Sequence, residues 1–385
     1  MIDTIILRSP FIIEDLASRI EGECLKRIGL DLKSGELMYE ITTGELKGSF
    51  ENRISIKVLR KKYISTPVYH NVLSKKFKVD NITTLKDCEP YIQIECSVHK
   101  ALLGHNCYNG PRNFQLSCLY IIKLIEKLID VNFNTNVMKW EVIKVDIAEV
   151  FDLKNNKIVR DWFTSINVNN EYSRRKVMKY GNDSFQVPGQ TTTSKCYSKG
   201  IEFYKHDYKK LKLIDGINES EIYSKALNII RFECSIKNKK MKYDLNKEVI
   251  LVEDLSIEYL ENVYDNDVDK IFKEVINNME IVRDCLDVKN RLYDEYGDLL
   301  ANTLLCTWYK LTTIGEKQTK EGMKEPTYYR HKKQLLNVGV SWIGTNVVLK
   351  NKVINFTPNR NSEYIVKENC DELLIKKLFE LENAM

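Results

Sequence analysis

With 385 residues, 43% of them hydrophobic and 29% charged, the chain is long enough for two or three packed domains and has the composition of a globular protein. Its formal net charge of +5 is modest, but the basic residues are bunched in Arg60-Lys61-Lys62, Arg174-Arg175-Lys176, Lys209-Lys210-Leu211-Lys212 and residues 237–242, interleaved with Tyr and Phe, which favours a nucleic-acid partner. Ten singly scattered cysteines without a Cys-x-x-Cys pair exclude a zinc ribbon and a disulfide framework. An N-terminal stretch too polar for a signal peptide and no apolar run near the ~20 residues that span a bilayer point to a cytoplasmic protein with no membrane partner.

In chain order, strand-like alternation falls at residues 2–7, 37–41, 54–59, 91–98, 140–151, 194–202 and 229–236. Between them one helix is clear, residues 116–130, with Leu119, Ile122, Ile125, Leu128 and Ile129 on one stripe. Residues 169–190 are polar and basic, broken by Gly181-Asn182-Asp183 and Pro188-Gly189, and predict a mobile loop. After about residue 243 the period becomes helical and acidic residues dominate. The expected class is α+β: an antiparallel-sheet domain over 1–245, then a mainly helical domain over 246–385.

In the second domain, residues 325–336 begin like a capped helix and stop at Asn337–Gly339. With a helix around 304–311 before it, this reads as a helix-turn-helix placing Tyr329, Arg330 and Lys333 against DNA. An amphipathic helix with an ordinary basic face explains the same residues equally well.

Three predicted strands carry a carboxylate opposite their apolar face. Glu95 lies opposite Ile92, Ile94, Cys96 and Val98; Asp146 opposite Val145 and Ile147; Glu233 opposite Phe232, Cys234 and Ile236. Such residues are often just solvated, but three together suggest a catalytic floor. Grouped carboxylates repel and call for a cation, and oxygen ligands select Mg²⁺ or Mn²⁺, the latter tolerating one imidazole, for which His105 is the candidate.

The segment Lys195-Cys196-Tyr197-Ser198-Lys199 adds a nucleophile. If it is extended, Lys195, Tyr197 and Lys199 share one face, and a phenol between ammonium groups is poised to attack a phosphodiester. Arg231, beside Glu233, and Arg174 and Arg175 complete the expected DNA contacts. Tyr204-Lys205-His206 is a second tyrosine cluster seven residues on, so Tyr204 competes with Tyr197 for the nucleophile's role.

The opening Met1-Ile2-Asp3 with Leu7-Arg8-Ser9-Pro10-Phe11, then Leu103-Gly104-His105-Asn106, Val145-Asp146-Ile147-Ala148, Tyr197-x-Lys199-x-x-Glu202 and Ile230-Arg231-Phe232-Glu233, together resemble the filamentous-phage gene II/gene X type replication initiators, which also occur on plasmids. The resemblance holds from residue 1 to about 240 and then thins to Tyr329-Arg330 and Leu335-Leu336-x-x-Gly339. It implies a rolling-circle nuclease fold and a site-specific endonuclease that nicks one strand at the replication origin. The 5′ phosphate would be kept on Tyr197 beside Lys199, a 3′ hydroxyl left free, and the ends later rejoined. Duplex and single-stranded origin DNA, and the host helicase and polymerase, are the implied partners. The histidine pair that binds metal in wider rolling-circle nucleases is missing here. No Gly-x-x-x-x-Gly-Lys-Ser/Thr loop occurs, in keeping with a strand transfer that uses no ATP. A non-catalytic origin-binding regulator and a water-using metal nuclease are the competing readings.

Overall fold

The structure is a computed structural model that describes residues 1–23, 25–30, 37–48, 50, 52–70, 78–153, 155–165, 171–172, 175–181, 183–214, 216–271, 284–342 and 369–383. In chain order its elements are β1 (Ile2–Phe11), α1 (Glu14–Gly22), β2 (Leu25–Leu30), β3 (Leu37–Lys47), β4 (Arg53–His70), β5 (Lys78–Ser97), α2 (Val98–Leu103), α3 (Phe114–Leu128), β6 (Glu141–Asp152), α4 (Asn156–Ser165), β7 (Glu171–Tyr172), β8 (Arg175–Lys176), β9 (Met178–Tyr180), β10 (Ser184–Val187), β11 (Thr192–Ser198), α5 (Lys199–His206), α6 (Tyr208–Leu211), α7 (Glu219–Ala226), β12 (Ile229–Lys237), α8 (Asn238–Leu245), α9 (Ile257–Ile271), α10 (Cys285–Thr313), α11 (Gly315–Glu321), α12 (Glu325–Asn337) and α13 (Cys370–Glu382).

The centre is a ten-stranded antiparallel sheet, ordered β2-β3-β4-β5-β1-β6-β12-β11-β10-β9. Period-two alternation sorts its residues. Ile5 pairs with Cys96 and Val145, and Leu7 with Ile94, so one face is continuously apolar across the middle strands. That face is buried, each such side chain contributing ~1.5–3 kcal/mol, and it meets the apolar stripe of α3, capped at its start by Asn113. Arg60, from the first basic cluster, is not a free cation: it clamps β4 to α1 through Glu14 at 2.6 Å and Glu21 at 2.5 Å.

Several expectations need correction. The segment 169–190, expected as a loop, carries the short strands β7 to β10, and β9 and β10 extend the sheet beyond β11. The strand expected over 194–202 ends at Ser198, and Lys199 opens α5. The expected 245/246 boundary cuts a continuous core: Ile250, Val252, Leu260, Tyr264, Val268 and Ile271 belong to the same hydrophobic cluster as the sheet. So do Leu374 and Leu378 of α13, which docks on the start of α3, where Asp371 accepts the backbone N–H groups of Arg112 at 3.0 Å and Asn113 at 2.9 Å. A separate cluster, including Val288, Leu304, Trp308, Leu335 and Trp342, holds α10 to α12 together.

Within α10 the helix breaks at Gly297, whose φ of 68° suits a glycine. The expected helix at 304–311 lies in α10 after that break, but the short α11 intervenes before α12 and is joined to it by Gly322–Lys324. Among the described residues no helix is long and apolar enough to cross a membrane.

Candidate active site on the polar face of the sheet

The polar face is built by the other half of the alternation. Ile6 lies beside both Glu95 and Lys144; Asp146 lies beside Ser235, Lys195 beside Glu233, and Tyr197 beside Arg231. All three predicted carboxylates thus share a face with Tyr197, as the alternation implies. What covers that face is set by Gly104. It ends α2 with a φ of 77°, and a β-carbon there would press on Phe50 and Leu211. The turn lays His105 and Asn106 over the sheet.

Asn106 then acts as a hub. Its backbone carbonyl accepts from Arg231 Nη1 at 3.0 Å, its amide donates to Asp3 Oδ1 at 3.2 Å, and its side-chain oxygen accepts from Lys199 Nζ. Arg231 is fully buried, with Nη2 3.1 Å from Asp3 Oδ1 and Nε donating to Glu233 Oε1 at 3.0 Å. The same Oε1 accepts the Tyr197 hydroxyl at 2.5 Å. Lys199, also fully buried, pairs with Glu202, and its ammonium sits 5.8 Å from the centre of the Tyr197 ring. Lys100 joins Glu202 at 3.6 Å and Asp207 at 2.8 Å.

These contacts fix the charge states. Burial opposes ionisation of Asp3, but Arg231, together with His99, Lys100 and the Asn106 amide, more than compensates and holds it below the usual carboxylate range. Burial likewise opposes the Glu202 anion, yet Lys199 and Lys100 bring it down to about 2. Burial, then the nearby Lys199 and Lys100, push His105 down to about 3, so it is neutral near pH 7; its Nδ1 accepts the Cys107 N–H at 3.3 Å. The Tyr197 phenol is pushed well above its ordinary value by burial and by the Glu233 charge. This overturns the expectation that flanking cations favour the phenolate, because Lys199 is already neutralised by Glu202.

Tyr197 lines an open cavity of about 580 Å³ with Tyr180, Asp183, Gln186, Lys195, Lys205 and His206. A second, of about 480 Å³, shares Lys205 and His206 and adds Arg53, Lys100 and Lys210. Tyr204 is turned elsewhere, its ring 5.4 Å from those of Tyr208 and Tyr223.

The expected ligand set does not assemble. Glu233 is engaged by Tyr197 and Arg231, Asp146 by Lys144 at 3.1 Å, and half-exposed Glu95 faces Lys144 at 3.9 Å, while His105 is packed under Tyr108. Among the described residues, no three His, Cys, Asp or Glu side chains are placed to hold an ion. Two expected DNA contacts are also corrected. Arg231 is internal, and Arg175 turns onto the Thr192 carbonyl at 3.2 Å and Asp267 at 3.0 Å. Arg174 lies outside the described residues. Lys195 is half-buried at the cavity wall. On α12, Tyr329, Arg330 and Lys333 are exposed, whereas Tyr328 and His331 pack inward, His331 against Thr307 at 2.8 Å. Asp3 and Asn106 are the site residues that strand-by-strand reading missed; their only signal was their place in the Met1-Ile2-Asp3 and Gly104-His105-Asn106 motifs.

Residues 1–261 match the family model of the N-terminal part of the phage replication-associated protein, the gene II product. The chain belongs to that family. The matched gene II family region ends inside α9, past the boundary expected at 245 and within the sheet's own core. The chain is 20% identical to the replication-associated protein of Salmonella phage IKe over 390 residues, covering 89% of this chain and 88% of that protein. It is 22% identical to its counterpart from Enterobacteria phage M13 over 273 residues, covering 63% and 62% respectively. No solved structure matches this gene II family chain.

Proposed function

We propose that the chain initiates rolling-circle replication of phage DNA by nicking and later rejoining one strand at the origin, with Tyr197 as the nucleophile. The observation that carries this reading is a hydrogen-bonded tyrosine on the wall of an open, partly basic cavity, backed by buried Lys199 and Arg231. Phosphoryl transfer needs a nucleophile, charge neutralisation and in-line placement. Tyr197 supplies the first. Lys195 and Lys205 at the cavity wall attract the strand, and Lys199 and Arg231, each tied to a carboxylate, hold the geometry behind the ring. The phosphotyrosyl ester conserves the bond energy, so rejoining needs no nucleotide.

The exposed Tyr329, Arg330 and Lys333 of α12 are the proposed duplex-origin contact, presented by the α11–α12 pair. The relatives' name, replication-associated protein, supports a replication role. Host helicase and polymerase follow as proposed partners, since the 5′-ended strand must be unwound from its template while the paired 3′ end is extended.

The test is to incubate the full chain, with Mg²⁺ or Mn²⁺ supplied, with supercoiled plasmids tiling the genome that encodes it, and to look for protein covalently attached to DNA. An adduct is expected. Nicking without an adduct would select a nuclease that uses water, and neither would select a non-catalytic regulator.

A further inference from the structure

We infer that Glu233 is the general base of the reaction, the group that takes the phenolic proton as Tyr197 attacks; the inference rests on the tyrosine-nicking reading. Sequence position alone makes Glu233 look like a metal ligand, but the structure gives its Oε1 two donors, the Tyr197 hydroxyl at 2.5 Å and Arg231 Nε at 3.0 Å. A base must stand within hydrogen-bond reach of the proton it removes. Other carboxylates near the ring are committed elsewhere. Asp3 accepts from Ser97 at 3.2 Å and Asn106 at 3.2 Å and pairs with Arg231, while Glu202 is held by Lys199 and Lys100.

Arg231 is a positioning residue. Anchored by Asp3 and by the Asn106 carbonyl, it keeps the Glu233 oxygen aimed at the phenol. A phenol this reluctant to ionise cannot rely on a standing phenolate, which makes a proton acceptor at the moment of attack necessary.

In the forward step the Tyr197 Oη–P bond forms, the P–O3′ bond breaks, and its electron pair goes to O3′. The phenolic proton passes to Glu233, and O3′ is protonated by water; the hydroxide so formed is neutralised by the proton Glu233 releases. In rejoining, the DNA 3′ hydroxyl attacks phosphorus and loses its proton to water. Glu233, reprotonated from that water, returns a proton to the departing phenolate oxygen. Atoms and charge balance in both directions without an added co-reactant.

The experiment uses full chains and the plasmids that wild type nicks. Glu233→Ala is expected to lower the nicking rate by roughly 10²–10⁴-fold, the usual share of general-base catalysis, with plasmid binding retained. Added formate should restore at least a tenth of wild-type activity, and should not help Glu233→Gln, whose amide fills the space. If Glu233→Ala does not fold, the isosteric Glu233→Gln still decides the matter. Fluorinated tyrosines of falling phenol pKa at position 197 should speed Glu233→Gln steeply and wild type only slightly. Wild-type rates in either variant, or a deficit that neither formate nor fluorotyrosine relieves, would overturn the inference. A wild-type chain that forms no adduct at all would instead overturn the underlying tyrosine reading.

Discussion

The two cation-bearing regions of this chain are built on opposite principles. On the polar face of the sheet, Arg231 and Lys199 are fully buried and tied to Asp3, Glu233, Asn106 and Glu202. On α12, Arg330 and Lys333 stand in solvent. Buried, mutually satisfied charges cannot move without large cost, which suits a site that must hold a reacting geometry. Exposed cations cost the fold little to keep or lose, which suits sequence-independent attraction to phosphate. The first region is expected to be intolerant in stability as well as in chemistry, the second only in binding.

The hardest test of that contrast is Arg231→Met. It strands the Asp3 and Glu233 carboxylates in the interior, and chemical denaturation should show a loss of about 3–5 kcal/mol, the cost of breaking a buried ion pair from one side. A loss below about 1 kcal/mol would show that the cluster is solvated.

Next in size is the pH response of the same region. His105 is held neutral, with a folded pKa of about 3 against an ordinary 6.5. The unfolded chain therefore binds the extra proton first, and stability should fall as pH drops from 6.5 toward 3, by on the order of a few kcal/mol. His105→Asn should flatten the curve in that window, whereas equal curves would place the acid sensitivity elsewhere.

Smaller effects belong to the exposed region. Tyr329→Ala with Arg330→Ala and Lys333→Ala should change unfolding free energy by no more than about 0.5 kcal/mol for each substitution. The slope of log affinity against log salt for duplex origin DNA should nevertheless flatten by roughly 0.9 for each phosphate no longer neutralised, measured by fluorescence anisotropy. An unchanged slope would move duplex binding to the basic clusters of the sheet domain. Least of all should be felt at Glu95→Gln: its carboxylate is half exposed and, among the described residues, meets Lys144 at 3.9 Å. Nicking within about twofold of wild type is expected; a loss of ~10²-fold would return Glu95 to the catalytic set.

Alternation made the sheet legible. Ile94, Val145 and Cys234 read correctly as one buried face, and Glu95, Asp146, Glu233 and Tyr197 as the other, because period two is local. The commitments of those polar residues were not legible. Lys199 continues the Lys195–Tyr197 spacing on paper, yet the chain turns helical there, where Gly200 packs so closely on Leu227 that a β-carbon would lie 2.8 Å from its backbone. Arg231 reads as a surface cation because the partners that bury it, Asp3 and Asn106, lie far away in the chain, Asn106 being 125 residues distant. Likewise α13 finds its place through Asp371 and α3, across 259 residues. Pairings at such separation leave no periodic trace.

The most direct measurement is mass spectrometry of the nuclease-trimmed, protease-digested protein–DNA adduct. A nucleotide remnant is expected on the Tyr197 hydroxyl, with none on Tyr204 and no adduct from Tyr197→Phe, which should still bind DNA. A remnant on Tyr204, or an adduct that survives Tyr197→Phe, would contradict the assignment of the hydrogen-bonded tyrosine as the nucleophile.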